Sequence, residues 1–94
     1  MAVAEFSITP VTGEQLTPFI DAAVEEVKKS GLKYEVDAMS TTVEGELDQI
    51  LQVVQKAHQA VKSMGADRVL TEIRIDDRAG VTIEEEVKQY RASV

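Results

Sequence analysis

No cysteine occurs in the sequence, which rules out disulfides and thiolate nucleophiles and leaves cysteine usage silent on redox compartment. No apolar run approaches the ~20 residues that span a bilayer, so no membrane partner is expected. The opening Met1-Ala-Val-Ala-Glu-Phe6 lacks both a basic region and a long apolar stretch. No signal peptide is therefore expected, and the expected location is cytoplasmic. Basic side chains are few, ten against seventeen acidic, for a net charge of −7. They are scattered, so nucleic acid is not an expected partner, and a cationic ligand is easier to hold than an anionic one. Aromatic rings are limited to Phe6, Phe19, Tyr34 and Tyr90. No glycine-rich loop is suited to cradling phosphate, and no serine sits in a nucleophile elbow.

What is present is clean periodicity. Ninety-four residues suit a single domain, 1–94, burying ~60–65% of its unfolded surface. Val3 to Thr9 alternates, with Ala4, Phe6 and Ile8 on one face, and Pro10 and Gly13 are expected to end this strand. Thr17 offers a capping hydroxyl ahead of Pro18, and Ile20, Ala23, Val24 and Val27 then repeat at helical spacing up to Gly31. From Leu32 the period returns to two, with Tyr34, Val36 and Ala38 on one face. A turn near Met39-Ser40 lets Thr41 to Gly45 pair back, Val43 inward and Thr42 and Glu44 outward. A second helix carries the stripe Leu47, Ile50, Leu51, Val54, Ala57, Val61 and Met64 and ends at Gly65. Arg68 to Asp76 is a fourth strand with Val69, Thr71, Ile73 and Ile75 inward. Thr82 and Glu85 open a short terminal helix reaching about Tyr90.

The order βαββαβ, with right-handed crossovers, predicts an α+β fold: a ferredoxin-like antiparallel sheet with two helices on one face, plus a C-terminal helix. The other face then carries Val3, Glu5, Ser7, Glu35, Asp37, Met39, Thr42, Glu44, Leu70, Glu72 and Arg74. Solvation accounts for such a face, yet Val3, Leu70 and Met39 would be better covered. Subunit packing that traps a polar pocket meets both needs, and its carboxylates and hydroxyls suit a ligand bearing positive charge.

The segment Met39-Ser-Thr-Thr-Val-Glu-Gly-Glu46 is the densest in functional groups. Thr41 and Glu44 have capping-box spacing for the following helix, but that leaves Glu46 and the doubled threonines without a task. Gly45 stands where strand turns to helix, and its expected role is a special backbone conformation or close approach to a ligand. Phe6 and Tyr34 fall on the helix-facing side, where core packing is the expectation. His58 lies beside the apolar stripe with no cysteine partner, which suits a structural histidine. Asp76-Asp77 and Glu84-Glu85-Glu86 are oxygen-rich, but the glutamates are explained by the helix dipole, and no metal is expected. Glu44 and Glu46 are the only candidate acid/base pair, and no catalytic residue is expected.

The run Thr41-Thr-Val-Glu-Gly-Glu46, with Ser30-Gly-Leu-Lys-Tyr34 before it and Asp48, Val53, His58, Gly65-Ala-Asp-Arg-Val69, Thr71, Ile73, Ile75-Asp76 and Arg78 after it, resembles the YkoF-like thiamine-binding family of small ferredoxin-like proteins. The likeness runs from Ser7-Ile-Thr-Pro10 to Arg78. It implies a non-enzymatic carrier or buffer for thiamine or a hydroxymethylpyrimidine precursor, with thiamine a bound ligand rather than a cofactor. It also implies a homotetramer built as a dimer of dimers. The terminal helix, whose Ile83, Val87 and Tyr90 form a small apolar stripe, is expected to brace a neighbouring subunit. Expected ligand contacts are Ser7, Met39, Thr41, Thr42, Glu44, Gly45 and Glu72, with Glu44 pairing the cation or the pyrimidine amino group. The alternative is a regulatory or structural oligomerisation domain with no small-molecule ligand.

Overall fold

The computed structural model describes residues 1–91, so the last three positions of the expected 1–94 domain lie outside the described residues. Seven elements follow in order: β1 (Ala2–Val11), α1 (Thr17–Ser30), β2 (Lys33–Val36), β3 (Thr41–Gly45), α2 (Leu47–Lys62), β4 (Arg68–Asp77) and α3 (Ile83–Arg91). The strands form one antiparallel sheet in the order β2-β3-β1-β4. This is the ferredoxin-like α+β arrangement that the alternation of periods predicts.

Register decides which side chains meet. Ala4 stands opposite Val43 on one side and Ile75 on the other, and Phe6 opposite Thr41 and Ile73. These residues face α1 and α2, where Ala2, Ala4, Phe6 and Val43 close against Val27, Ile50, Val53, Val54 and Ala57. Phe19, Val61 and Ala66 extend the core, joined to it through Ile8 and Ala23. Ile50 is fully buried, so its truncation to alanine belongs in the ~2–5 kcal/mol range of core cavities. Val53 also joins the buried stripe of α2, whereas Leu47, Leu51 and Met64 remain exposed.

Several boundaries differ from the sequence reading for local reasons. β1 does not stop at Pro10 but continues to Val11, with Pro10 opposite Val69. β3 pairs with β1 only as far as Phe6, so beyond that point β1 has lost one neighbour and a missing N–H interrupts no ladder there. At α1 the capping position belongs to Leu16, not Thr17, with no side-chain cap. The Leu16 carbonyl accepts from Phe19 N–H and Ile20 N–H, both at 3.0 Å. Gly31 closes α1 in the left-handed region at φ 75°, as its place after Lys29 and Ser30 predicts. The box expected of Thr41 and Glu44 is absent because both lie within β3. Glu46 caps α2 instead, and its N–H donates to Gln49 Oε1 at 3.1 Å.

α3 crosses the opposite side of the sheet. Lys33, Glu44, Val3 and Asp76 form one row across the four strands on that face, and α3 docks along it. Ile83 N–H donates to Glu44 Oε1 at 2.7 Å, Lys33 Nζ lies 3.8 Å from Glu84, and Arg78 pairs with both Asp76 and Glu86. Val81 and Ile83 are buried beneath it. The stripe assigned to a neighbouring subunit is thus partly consumed within the chain: Ile83 is covered, while Tyr90 is 65% exposed.

Candidate functional site

The early end of β3 creates a concavity beside β1. From Ser7 onward β1 keeps β4 on one side but has nothing of the sheet on the other. The vacated space is walled by α1 and by the β2–β3 turn, whose Asp37 N–H donates to the Ser40 carbonyl at 2.9 Å. A cavity of about 160 Å³ results, floored by residues 6–10 of β1 and flanked by Leu16, Ile20, Ala23 and Val24 of the α1 side and residues 36–41 of the hairpin. An apolar cavity of ~150 Å³ holds a benzene-sized molecule, so the groove has room for a single ring.

Its floor carries hydrogen-bonding groups as well as apolar surface. Proline keeps its missing donor out of a ladder, so the nitrogen of Pro10 faces away from β4. Alternate residues of an antiparallel strand share that direction. The N–H and C=O of Ile8 are thereby turned to the vacated side, a donor and an acceptor set side by side in a mainly apolar trough. Ser7, Thr9, Ser40 and Thr41 are polar residues of the lining, and Asp37 is its one carboxylate residue.

Ser7, Met39 and Ser40 also form a lip, beyond which lies a shallower depression on the open face completed by Glu5, Glu72 and Arg74. There Ser40 Oγ donates to Glu5 Oε2 at 3.2 Å, and Arg74 Nη1 lies 3.5 Å from Glu5 Oε1. Met39, 87% exposed, projects from the turn rather than from a strand.

Of the residues expected to bind, Ser7, Met39 and Thr41 line the groove, and Glu72 lies across the lip opposite Ser7 in the β1–β4 register. The other three lie apart from the groove. Thr42 is on the open face opposite Glu5. Glu44 is engaged with the start of α3. Gly45 is buried and its φ is not positive; a Cβ there would meet Leu32 Cδ2 at 3.1 Å and Cδ1 at 3.2 Å. The tight neighbour of this glycine is a core leucine, not a ligand cavity.

Glu44 and Glu46 do not act as a pair, since one holds α3 and the other caps α2. His58 is half-buried with Nδ1 2.6 Å from Thr71 Oγ1, a bond between α2 and β4. Among the described residues no three metal-ligating side chains converge, and no helix is long and apolar enough to cross a membrane.

Sequence reasoning missed Asp37, Ile8, Leu16 and Ile20 as groove residues. The available signals were a proline inside an alternating strand, and apolar residues at 16, 19, 20, 23, 24 and 27, a stripe wider than one core contact requires.

Comparison with known proteins points the same way. Residues 4–91 match the family model described as thiamine-binding protein. A UPF0045 protein of Methanothermobacter thermautotrophicus is 41% identical over 81 residues, spanning 83% of this chain and 82% of the relative. UPF0045 protein YqgV of Bacillus subtilis is 40% identical over 86 residues, spanning 83% and 81%. Among solved structures, a domain of unknown function from Bacillus cereus superposes with a TM-score of 0.89 at 43% identity, covering 98% of this chain and 91% of that one. A Thermotoga maritima protein described as a candidate for thiamine biosynthesis or salvage gives 0.86 at 35% identity, covering 96% and 98%. With a family model spanning nearly all of its length and relatives this similar, the chain belongs to the thiamine-binding protein family.

Proposed function

We propose that this protein binds thiamine, or its hydroxymethylpyrimidine precursor, without transforming it, and serves as a carrier or buffer. The observation that supports this most is the groove beside the unpaired half of β1. A flat heteroaromatic ring needs apolar walls, and Leu16, Ile20, Val36 and Met39 line the groove. An aminopyrimidine presents a donor next to an acceptor, the complement of what the Ile8 backbone offers. The thiazolium is a fixed cation, and Asp37 within the groove and Glu72 beyond the lip are carboxylates. Since the groove has room for one ring, the pyrimidine occupies it and the thiazolium lies over the lip near Ser7 and Met39. Thr41 completes the wall. No nucleophile or acid/base pair stands at the groove, so binding is the whole of the activity proposed.

The reading includes self-association through the open face, with copies forming a dimer of dimers. Leu70, half exposed on that face, supports it.

Calorimetry tests the site. Thiamine is expected to bind saturably, and Ile20→Arg, which fills the groove from an exposed helical position with a good helix former, to weaken binding at least ten-fold with the thermal transition unchanged. Thiamine binding undiminished in Ile20→Arg places the ligand elsewhere. No binding by the parent protein at millimolar thiamine leaves the structural oligomerisation reading.

A further inference from the structure

We infer that the groove is selective for the unesterified ligand, admitting thiamine and disfavouring its phosphate esters, with Asp37 as the specificity-determining residue. This rests on the thiamine-binding reading above and concerns which form of the molecule that site accepts. The lining contains a carboxylate and no lysine, arginine or histidine. A phosphate held in or beside it meets a like charge, and the lining itself offers no counter-charge.

Two features could compensate, and neither does. The first is the amino end of α1, beside Leu16, since a helix N-terminus ordinarily offers free N–H groups to an anion. Here Pro18 has no N–H, and Phe19 and Ile20 both donate to the Leu16 carbonyl at 3.0 Å. Only the N–H of Thr17 remains in that turn. The second is Arg74, across the lip. Its guanidinium lies 3.5 Å from Glu5 Oε1, and the depression it borders contains Glu72 as well. The surroundings of the lip are therefore acidic on both sides, in keeping with the net charge of −7.

The test is calorimetry of the intact protein with thiamine and, separately, thiamine monophosphate, at low and at high ionic strength. Thiamine is expected to bind about ten-fold tighter or more at low salt, and added salt is expected to narrow the ratio because screening weakens charge discrimination. Asp37→Asn, at an exposed turn position, is expected to bring the two ligands within about three-fold. Equal or tighter binding of the monophosphate by the parent protein overturns the inference while leaving the thiamine site standing. A ratio insensitive both to salt and to Asp37→Asn overturns the role of Asp37, because shape would then be selecting. Failure of both ligands to bind overturns the proposed function and this inference with it.

Discussion

Gly45 is a position where packing, not backbone conformation, limits the side chain. It needs no unusual dihedral, but a Cβ would lie 3.1 and 3.2 Å from the Leu32 methyls and 3.4 Å from Gln49 Oε1, so Leu32 would have to give way by a few tenths of an ångström. Gln49 is also the acceptor for the capping Glu46 N–H, so displacing it disturbs the start of α2. Gly45→Ala is therefore expected to lower stability by about 1–3 kcal/mol, the usual cost of overpacking. Thiamine affinity is expected to stay native, since the groove lies elsewhere. Adding Leu32→Val should recover part of the loss, and a double-mutant cycle from denaturant midpoints measures that coupling. Additive effects would show that the leucine contact is not the cause. From sequence, the glycine could be singled out but not its reason, since Leu32 reaches it only after β3 and α2 are both in place.

Among the elements, α3 is anchored at its start by polar contacts. Its first turn is fixed by Glu44 accepting from Ile83 N–H and by Thr82 Oγ1 accepting from Glu85 N–H at 3.0 Å. Glu44→Ala removes the first of these and is expected to cost about 0.5–2 kcal/mol, in the manner of a lost cap. Amide exchange in residues 83–88 should speed up while exchange in α2 stays slow. Unchanged protection in α3 would show that burial of Val81 and Ile83 suffices without the carboxylate. The terminal helix itself was legible, because Thr82 and Glu85 announce it; its destination was not, because Glu44 and Ile83 meet only through the sheet. The strands were legible from alternation to within a residue or two. The misplaced end of β1 and the misassigned cap of α2 share a cause. Whether Pro10 stops a strand depends on how far β3 extends beside it, and whether Thr41 caps a helix depends on whether β3 has already claimed it. The groove arises from the same mismatch of strand lengths: Ser7, Met39 and Thr41, expected as ligand contacts, line it, as do Ile8, Asp37 and Leu16, which the sequence did not single out.

At the scale of the whole molecule, the proposed self-association would use what the open face still exposes. α3 covers the row containing Glu44, and the remainder carries Leu70 beside acidic groups and Arg74. The protein is expected to sediment as a stable tetramer at micromolar concentration, with Leu70→Glu shifting it toward smaller species. A monomer at that concentration would reject the proposal.

The ten-residue ladder between β1 and β4 has a further consequence, in the order of events during synthesis. It joins the first strand of the chain to the last one. At 5–20 residues per second, roughly 3–11 s separate the making of Val11 from that of Arg68. In that interval β1 has first no strand and then only the short β3 to pair with, and its alternating apolar face is an open template for other chains. Both helices and the β2–β3 hairpin form from near neighbours and need not wait. Folding of the intact chain is therefore set by one late, long-range closure, and the groove has its finished floor only once that closure has occurred. If the proposed ligand sits in this trough beside the first strand, it cannot bind before the fourth strand has been made.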